Sequence, residues 1–178
     1  MRSPEALPPA IESAQLMSGA TYKLGEFTCP LVYTPSPLVR AHSLAALVRD
    51  SVIICGMSAA WVWGADRELR KPLEFAVPAT KRVRVGCAVP HWRREYQFTD
   101  TEVTQMRGTH VTTPARTAFD ILRSSARFDI RERVACRILL FNINTEGRVE
   151  VENMVRSRNR MPNTALVRER LARLYDVS

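Results

Sequence analysis

Between Gly108 and Leu122 the chain reads GTHVTTPARTAFDIL, and the period of its apolar residues changes halfway along. From Val103 to Thr112, β-branched residues alternate around Arg107-Gly108, the pattern of two short strands joined by a bend. At Thr113 the pattern switches. The threonine offers a hydroxyl N-cap, and Pro114 takes the first helical position, where a missing N–H costs nothing. Ala115, Ala118, Phe119 and Leu122 then recur at i, i+3, i+4 and i+7, one apolar helix face. A strand therefore runs straight into a capped, core-facing helix.

Arg116 stands out in that helix. It lies in the first turn, where the macrodipole disfavours a cation by a few tenths to about 1 kcal/mol. Asp120, one turn on, can pair with it in the weaker orientation of a helical ion pair. Two arrangements fit: a solvent-exposed pair worth almost nothing, or an arginine that crosses to another element and fixes the helix start against the sheet. Neither is catalytic.

Of the 178 residues, 46% are hydrophobic and 25% charged, enough for one ordinary folded domain with a real core. No apolar run approaches the roughly 20 residues that span a bilayer. Prolines at positions 4, 8 and 9 break the apolar helix of a signal peptide, so a cytoplasmic protein is expected. Cys29, Cys55, Cys87 and Cys136 are scattered singly without CxxC, and His42, His91 and His110 lack ligand spacing. Reduced thiols, no metal and no cofactor are expected.

The charge of +8 is one-sided. Residues 1–78 hold seven basic and seven acidic side chains, whereas residues 79–178 hold nineteen and eleven. A basic half implies an acidic partner surface, nucleic acid or protein, unless arginine is simply the default surface residue of this chain.

Along the chain, Ala10–Met17 reads as a short helix ended by Ser18-Gly19. Residues 21–31 read as a two-stranded ribbon turning at Gly25. This is the layout of the second half of a winged helix, a remnant spanning 1–34. Ser36 and Pro37 open a helix with Leu38, Ala41, Leu44, Ala45 and Val48 inward, ending near Arg49-Asp50. Ser51–Cys55 is an apolar strand, after which Ser58 caps a short helix through Trp61 and Trp63, stopped by Gly64. Two tryptophans two residues apart cannot share a face, so one fills the core and the other covers an adjoining element or a partner.

Leu73–Val77 alternates as a strand ending at Pro78. Lys81, Arg82 and Arg84 follow in an extended segment, then Arg93 and Arg94 beside aromatic residues in His91–Phe98. Interleaved cations and aromatics suit nucleic acid, and equally a sheet edge protected by charge. Beyond Leu122 comes a strongly apolar helix through Phe128, Val134, Ala135, Ile138 and Leu139, started by Asp129 or a neighbour and ended at Phe141-Asn142. A second follows over Thr145–Arg158 with Val151, Met154 and Val155 inward, and a third capped by Asn163 or Thr164 with Val167, Leu171 and Leu174 inward. Arg156, Arg158, Arg160, Arg168, Arg170 and Arg173 are expected to project from these last elements.

Phosphate-binding glycine loops and nucleophile elbows are missing. Asp100 and Glu102, two apart on a strand, would share a face and repel. Glu146, Glu150 and Glu152 read as helix surface. A metal-dependent nuclease needs acids plus a lysine, and Lys23, Lys71 and Lys81 do not follow a candidate acid strand. An enzyme is not expected.

The segments SAAWVWGA (Ser58–Ala65), LEFAVPAT (Leu73–Thr80) and GTHVTTPARTAFDIL, in this order around a basic strand, resemble the AbiEi-type antitoxins of type IV toxin–antitoxin systems, over roughly residues 15–175. Thr112–Asp120 is the most specific piece, with Thr113, Pro114, Arg116 and Asp120 as structural motif residues beside Trp61 and Trp63. The resemblance implies a protein that opposes a nucleotidyltransferase-type toxin and represses its own promoter, with a winged helix ahead of a larger α/β domain, here 35–178. We therefore expect an α+β fold: a mixed or antiparallel sheet over roughly 51–112, the tryptophan helix, and a helical C-terminal part. The arginines named above are the candidate contacts to a toxin, or alternatively to DNA in a transcriptional regulator.

Overall fold

The computed structural model describes residues 8–25, 27–45, 47, 52–79, 89–158 and 161–175. Lys81, Arg82, Arg84 and Arg160, and the expected helix end at Arg49-Asp50, lie outside the described residues.

Helix α1 (Pro9–Met17) leads into an antiparallel ribbon, β1 (Thr21–Leu24) and β2 (Phe27–Pro30), as the sequence predicts. Gly25 turns it with φ +62°. α2 (Pro37–Ala45) follows; then β3 (Ile53–Ile54), α3 (Gly56–Val62), β4 (Leu73–Pro78) and β5 (His91–Tyr96). A single tight turn, Asp100–Glu102, precedes β6 (Val103–Met106) and β7 (Thr109–Thr112). The remainder is helical: α4 (Pro114–Ser124), α5 (Ile130–Arg137), α6 (Gly147–Ser157) and α7 (Thr164–Tyr175), with one wide π-type turn at Ile138–Ile143. This is an α+β fold.

The main sheet is mixed, in the order β5-β4-β3-β7-β6. β3 runs antiparallel to β4 and parallel to β7, so its two residues join both halves of the sheet. The β6–β7 hairpin turns at Arg107 and Gly108, both at positive φ (+43° and +85°), the conformation two-residue hairpins use to match strand twist.

Alternation along the strands sends residues to two faces. Leu73, Phe75, Ile54 and Val111 pack with Trp61, with Leu44 of α2 and with Leu24 and Cys29 of the ribbon. Ile53, Cys55 and Ala76 face the other way, where Tyr96, Phe98 and Val103 join them. α4 is the hub of the helical layer and touches α3, α5, α6 and α7. Its Ala115, Ala118, Phe119 and Leu122 pack with Leu139, Leu140, Val151, Val155, Val167, Leu171 and Leu174, the inward positions the helical periods mark.

Two local expectations are corrected. Ser58 does not cap the tryptophan helix: α3 starts two residues earlier, at Gly56, and the Ser58 hydroxyl instead accepts the backbone N–H of Glu74 at 2.9 Å. The helix start is satisfied by the Glu74 carboxylate, which reaches from β4 and accepts Met57 N–H at 3.2 Å. Gly56 sits at φ +55° directly beneath it, where a Cβ would collide with the carboxylate. Asp100 and Glu102 do not share a strand face, because both lie in the tight turn, which Thr99 and Glu102 close as a capping box.

Candidate functional site

The strand-to-helix junction behaves as its sequence dictates. Thr113 Oγ1 accepts Arg116 N–H at 3.4 Å, and Pro114 occupies the first position of α4. Arg116 is 1% exposed, so the solvent-exposed pair is ruled out. Its guanidinium donates to Asp120 Oδ2 at 3.0 Å, to Glu102 Oε2 at 2.6 Å and to the carbonyl of Gln97 at 3.1 Å. The ring of Phe98 lies against it, 4.5 Å from its centroid. Arg158, from the end of α6, closes the cluster on Glu102 at 2.7 Å. One buried ionic cluster thus ties the start of α4 to the turn before β6 and to the last helical layer.

The electrostatics of this cluster oppose one another. Complete burial pushes the Asp120 carboxyl above the usual aspartate range, against the pull of Arg116 and Arg123. Burial works against the Arg116 charge too, but the adjacent carboxylates of Asp120 and Glu102 hold its proton more firmly than usual. Asp120 Oδ1 has no hydrogen-bond partner, and Arg123 stands 3.9 Å away. Closed to solvent, these groups position backbone elements and offer a substrate no access.

The tryptophans divide as expected. Trp61 is buried in the core, while Trp63 lies across the strand-to-helix junction and donates its indole N–H to the carbonyl of Thr112 at 2.8 Å.

Among the candidate contact arginines, burial separates two groups. Arg158 and Arg170 do not project into solvent, which corrects the expectation from sequence. Arg158 is held by Glu102. Arg170 is 8% exposed, donates to the carbonyl of Leu122 at 2.8 Å and lies over the Phe128 ring. It supplies a donor to one of the carbonyls that the end of α4 leaves without an intrahelical partner. Arg156, Arg168 and Arg173 are exposed. Arg156 makes a 3.5 Å pair with Glu152, and Arg173 a 2.6 Å pair with Glu169. Arg168 makes no ion pair among the described residues. With Arg148, Leu171 and Tyr175, Arg156 and Arg168 line a groove of about 270 Å³ between α6 and α7. The Arg148 guanidinium lies 4.3 Å from the centroid of Tyr175.

Arg93 and Arg94 lie on β5, well away in the chain. Arg93 pairs with Glu95 at 2.5 Å, and Arg94 stands 3.5 Å from Glu74. Both line a cleft of about 690 Å³ with Trp92, His91 and Arg127. Burial raises the Glu74 carboxyl above its usual value of 4.5, although Met57 N–H and Arg94 pull it down.

Reading by period missed Glu102 and Glu74. Glu102 carries a legible signal, Thr-x-x-Glu at 99–102, which is a capping box in sequence form. Glu74 carries none, since its role as helix-start acceptor arises from tertiary packing. No group of three His, Cys, Asp or Glu able to hold a metal ion occurs among the described residues. Nor is any described helix long and apolar enough to cross a membrane.

No curated protein matches the chain. Residues 52–171 match the AbiEi antitoxin C-terminal domain. The match begins at the central strand and ends in α7, so it takes in the mixed sheet, the buried arginine cluster and the helical layer. The chain belongs to the AbiEi antitoxin family.

Proposed function

We propose that the protein is an antitoxin that neutralises a nucleotidyltransferase-type toxin, and that the exposed arginines of α6 and α7 contact it. The observation that carries this reading is the groove between these helices. There Arg156 and Arg168 stand at the surface beside Tyr175, after the fold has drawn Arg158 and Arg170 inside. Arg173, in the last turn of α7, adds a further exposed cation. Arg160, next to α6 in sequence, belongs to the proposed set, as do Lys81, Arg82 and Arg84 ahead of β5 and Arg93 and Arg94 on it. Autoregulation of transcription goes with this role, and the helix and ribbon within residues 1–34 serve it as a winged-helix remnant.

The test is the triple charge reversal Arg156→Glu, Arg168→Glu, Arg173→Glu. Each position is solvated, so each change should alter stability by no more than about 0.5 kcal/mol. The variant should fail to rescue growth when the toxin is co-expressed, and should lose binding to the purified toxin. A salt series separates DNA from toxin, because phosphate binding falls steeply and log-linearly with salt while an interface with apolar contacts changes less. Loss of DNA binding alone, with rescue intact, would favour the transcriptional regulator.

A further inference from the structure

α5 is built backwards relative to its neighbours. α6 and α7 send large apolar side chains inward: Val151 and Val155 from one, Val167, Leu171 and Leu174 from the other. α5 packs inward through only Ala135 and Cys136, small residues that let it approach α4 closely, with Cys136 Sγ 4.0 Å from the carbonyl of Ala118. Its large apolar side chains point out. Ile130 is 67% exposed, Val134 44%, and Phe141, in the wide turn that continues the helix, 41%. With Arg137 between them, these positions fall at i, i+4, i+7 and i+11, a single stripe along the helix and its continuation. The core does not need them there, and leaving three large apolar residues in line on the surface is unfavourable unless something covers them.

Positive charge is in excess around the stripe. Arg127, Arg133 and Arg137 are exposed and make no ion pair among the described residues. The acids of the same region are occupied. Asp129 accepts the N–H groups of Arg131 and Glu132, and Glu132 accepts the Asp129 N–H and the Ser125 hydroxyl. Arg131 is turned inward to Asp66 and the carbonyl of Glu68. At the far end of the stripe, Phe141 packs on Tyr175 at 4.6 Å between centroids, which holds the last anchor in place.

We propose that this face of α5 docks an acidic amphipathic helix of a protein partner, whichever face of the molecule holds the toxin. The partner helix lays its apolar side on Ile130, Val134 and Phe141 and sets carboxylates against Arg133 and Arg137. Eleven rises from Ile130 to Phe141, at about 1.5 Å each, give ~16 Å of contact, about three turns of the incoming helix. Helix-in-groove recognition uses anchors at this spacing. Duplex DNA fits less well, since phosphates leave the three apolar anchors unused.

The probe is a stapled helical peptide of about 14 residues with leucines at i, i+3, i+4 and i+7 and glutamates on both flanks, together with a second version carrying lysine for every glutamate. The full chain should bind the glutamate peptide, with backbone amide shifts confined to residues 127–143. The pair Arg133→Glu, Arg137→Glu should weaken that binding by about tenfold or more, and should prefer the lysine peptide. Ile130→Ser with Val134→Ser should weaken both pairings. Circular dichroism should show all variants melting close to the parent, because every changed side chain is solvated. Four results overturn the proposal: no binding by the parent; glutamate-peptide affinity that survives the arginine reversal; a parent dimer that the serine pair makes monomeric, which would make the stripe a contact between copies; or binding of anionic vesicles or duplex DNA through Arg133 and Arg137 in place of the peptide.

Discussion

Replacing Arg116 by alanine should unbalance the centre of the molecule, and the structure says where the cost falls. Glu102 loses one donor but keeps Arg158 at 2.7 Å and the Thr99 N–H at 3.0 Å. Asp120 loses its 3.0 Å partner, and its other oxygen has no hydrogen bond to fall back on. The nearest remaining cation, Arg123, is 3.9 Å away. One fully buried carboxylate is left without compensation, an event that costs about 3–5 kcal/mol. Set against a total stability of about 5–15 kcal/mol, that is a third or more of a mid-range value. With a urea slope of about 2 kcal/mol/M, the midpoint should fall by roughly 2 M, followed through the buried Trp61. Two further features belong to this mechanism. The deficit should shrink as pH falls, because Asp120 can then take up a proton. Adding Asp120→Ala should also recover part of the loss, so that the double variant costs less than the two singles summed. A single variant that costs under about 1 kcal/mol, or additive costs, would refute the picture of one coupled buried cluster.

Three other outcomes are expected. The charge-reversed α6–α7 variant should lose toxin neutralisation with an unchanged melting temperature, and a lowered melting temperature with neutralisation intact would contradict the proposed contact. Thr113→Ala should cost about 1 kcal/mol in denaturant titration through loss of the α4 cap; a change too small to measure would mean that Pro114 and packing fix the helix start alone. Glu74→Gln should alter the dependence of stability on pH. The folded-state value of this carboxyl is raised, so its contribution is fully present below 4.5 and is lost as pH rises through the raised value. Relative to the parent, the glutamine variant should therefore gain as pH rises from 4 to 7, and parallel curves would refute a raised value for this carboxyl.

How far the sequence alone reached depends on the range of the interaction that decides each residue. The β6–β7 hairpin, the Thr113 cap and the inward faces of α4, α6 and α7 follow from neighbours within a turn or two, and the period revealed them. Arg116 could be narrowed to two arrangements and no further, because its deciding partner, Glu102, lies in a different element. Ser58 looked like a cap because the serine–helix pattern is local, whereas the real acceptor comes from β4. Arg158 and Arg170 misled for another reason. A periodic pattern counts apolar residues only, and a guanidinium that finds a carboxylate or a free helix-end carbonyl can be buried like a leucine. The outward stripe of α5 escapes for the mirror-image reason: apolar residues at helical spacing, Val134 among them, read as core, and only the packed structure shows that they face out.

The two-residue strand β3 also bears on the order of assembly. Ile53 and Ile54 pair with β4 on one side and with β7, far along the chain, on the other. The β6–β7 hairpin can form early from local contacts, but the halves of the sheet meet only when this short segment is clasped between them. Closing that long loop is an entropic cost met before its contacts are gained. The backbone amides of Ile53 and Ile54 should therefore be among the last to gain protection in refolding followed by hydrogen exchange, and once protected they should open only with the whole sheet.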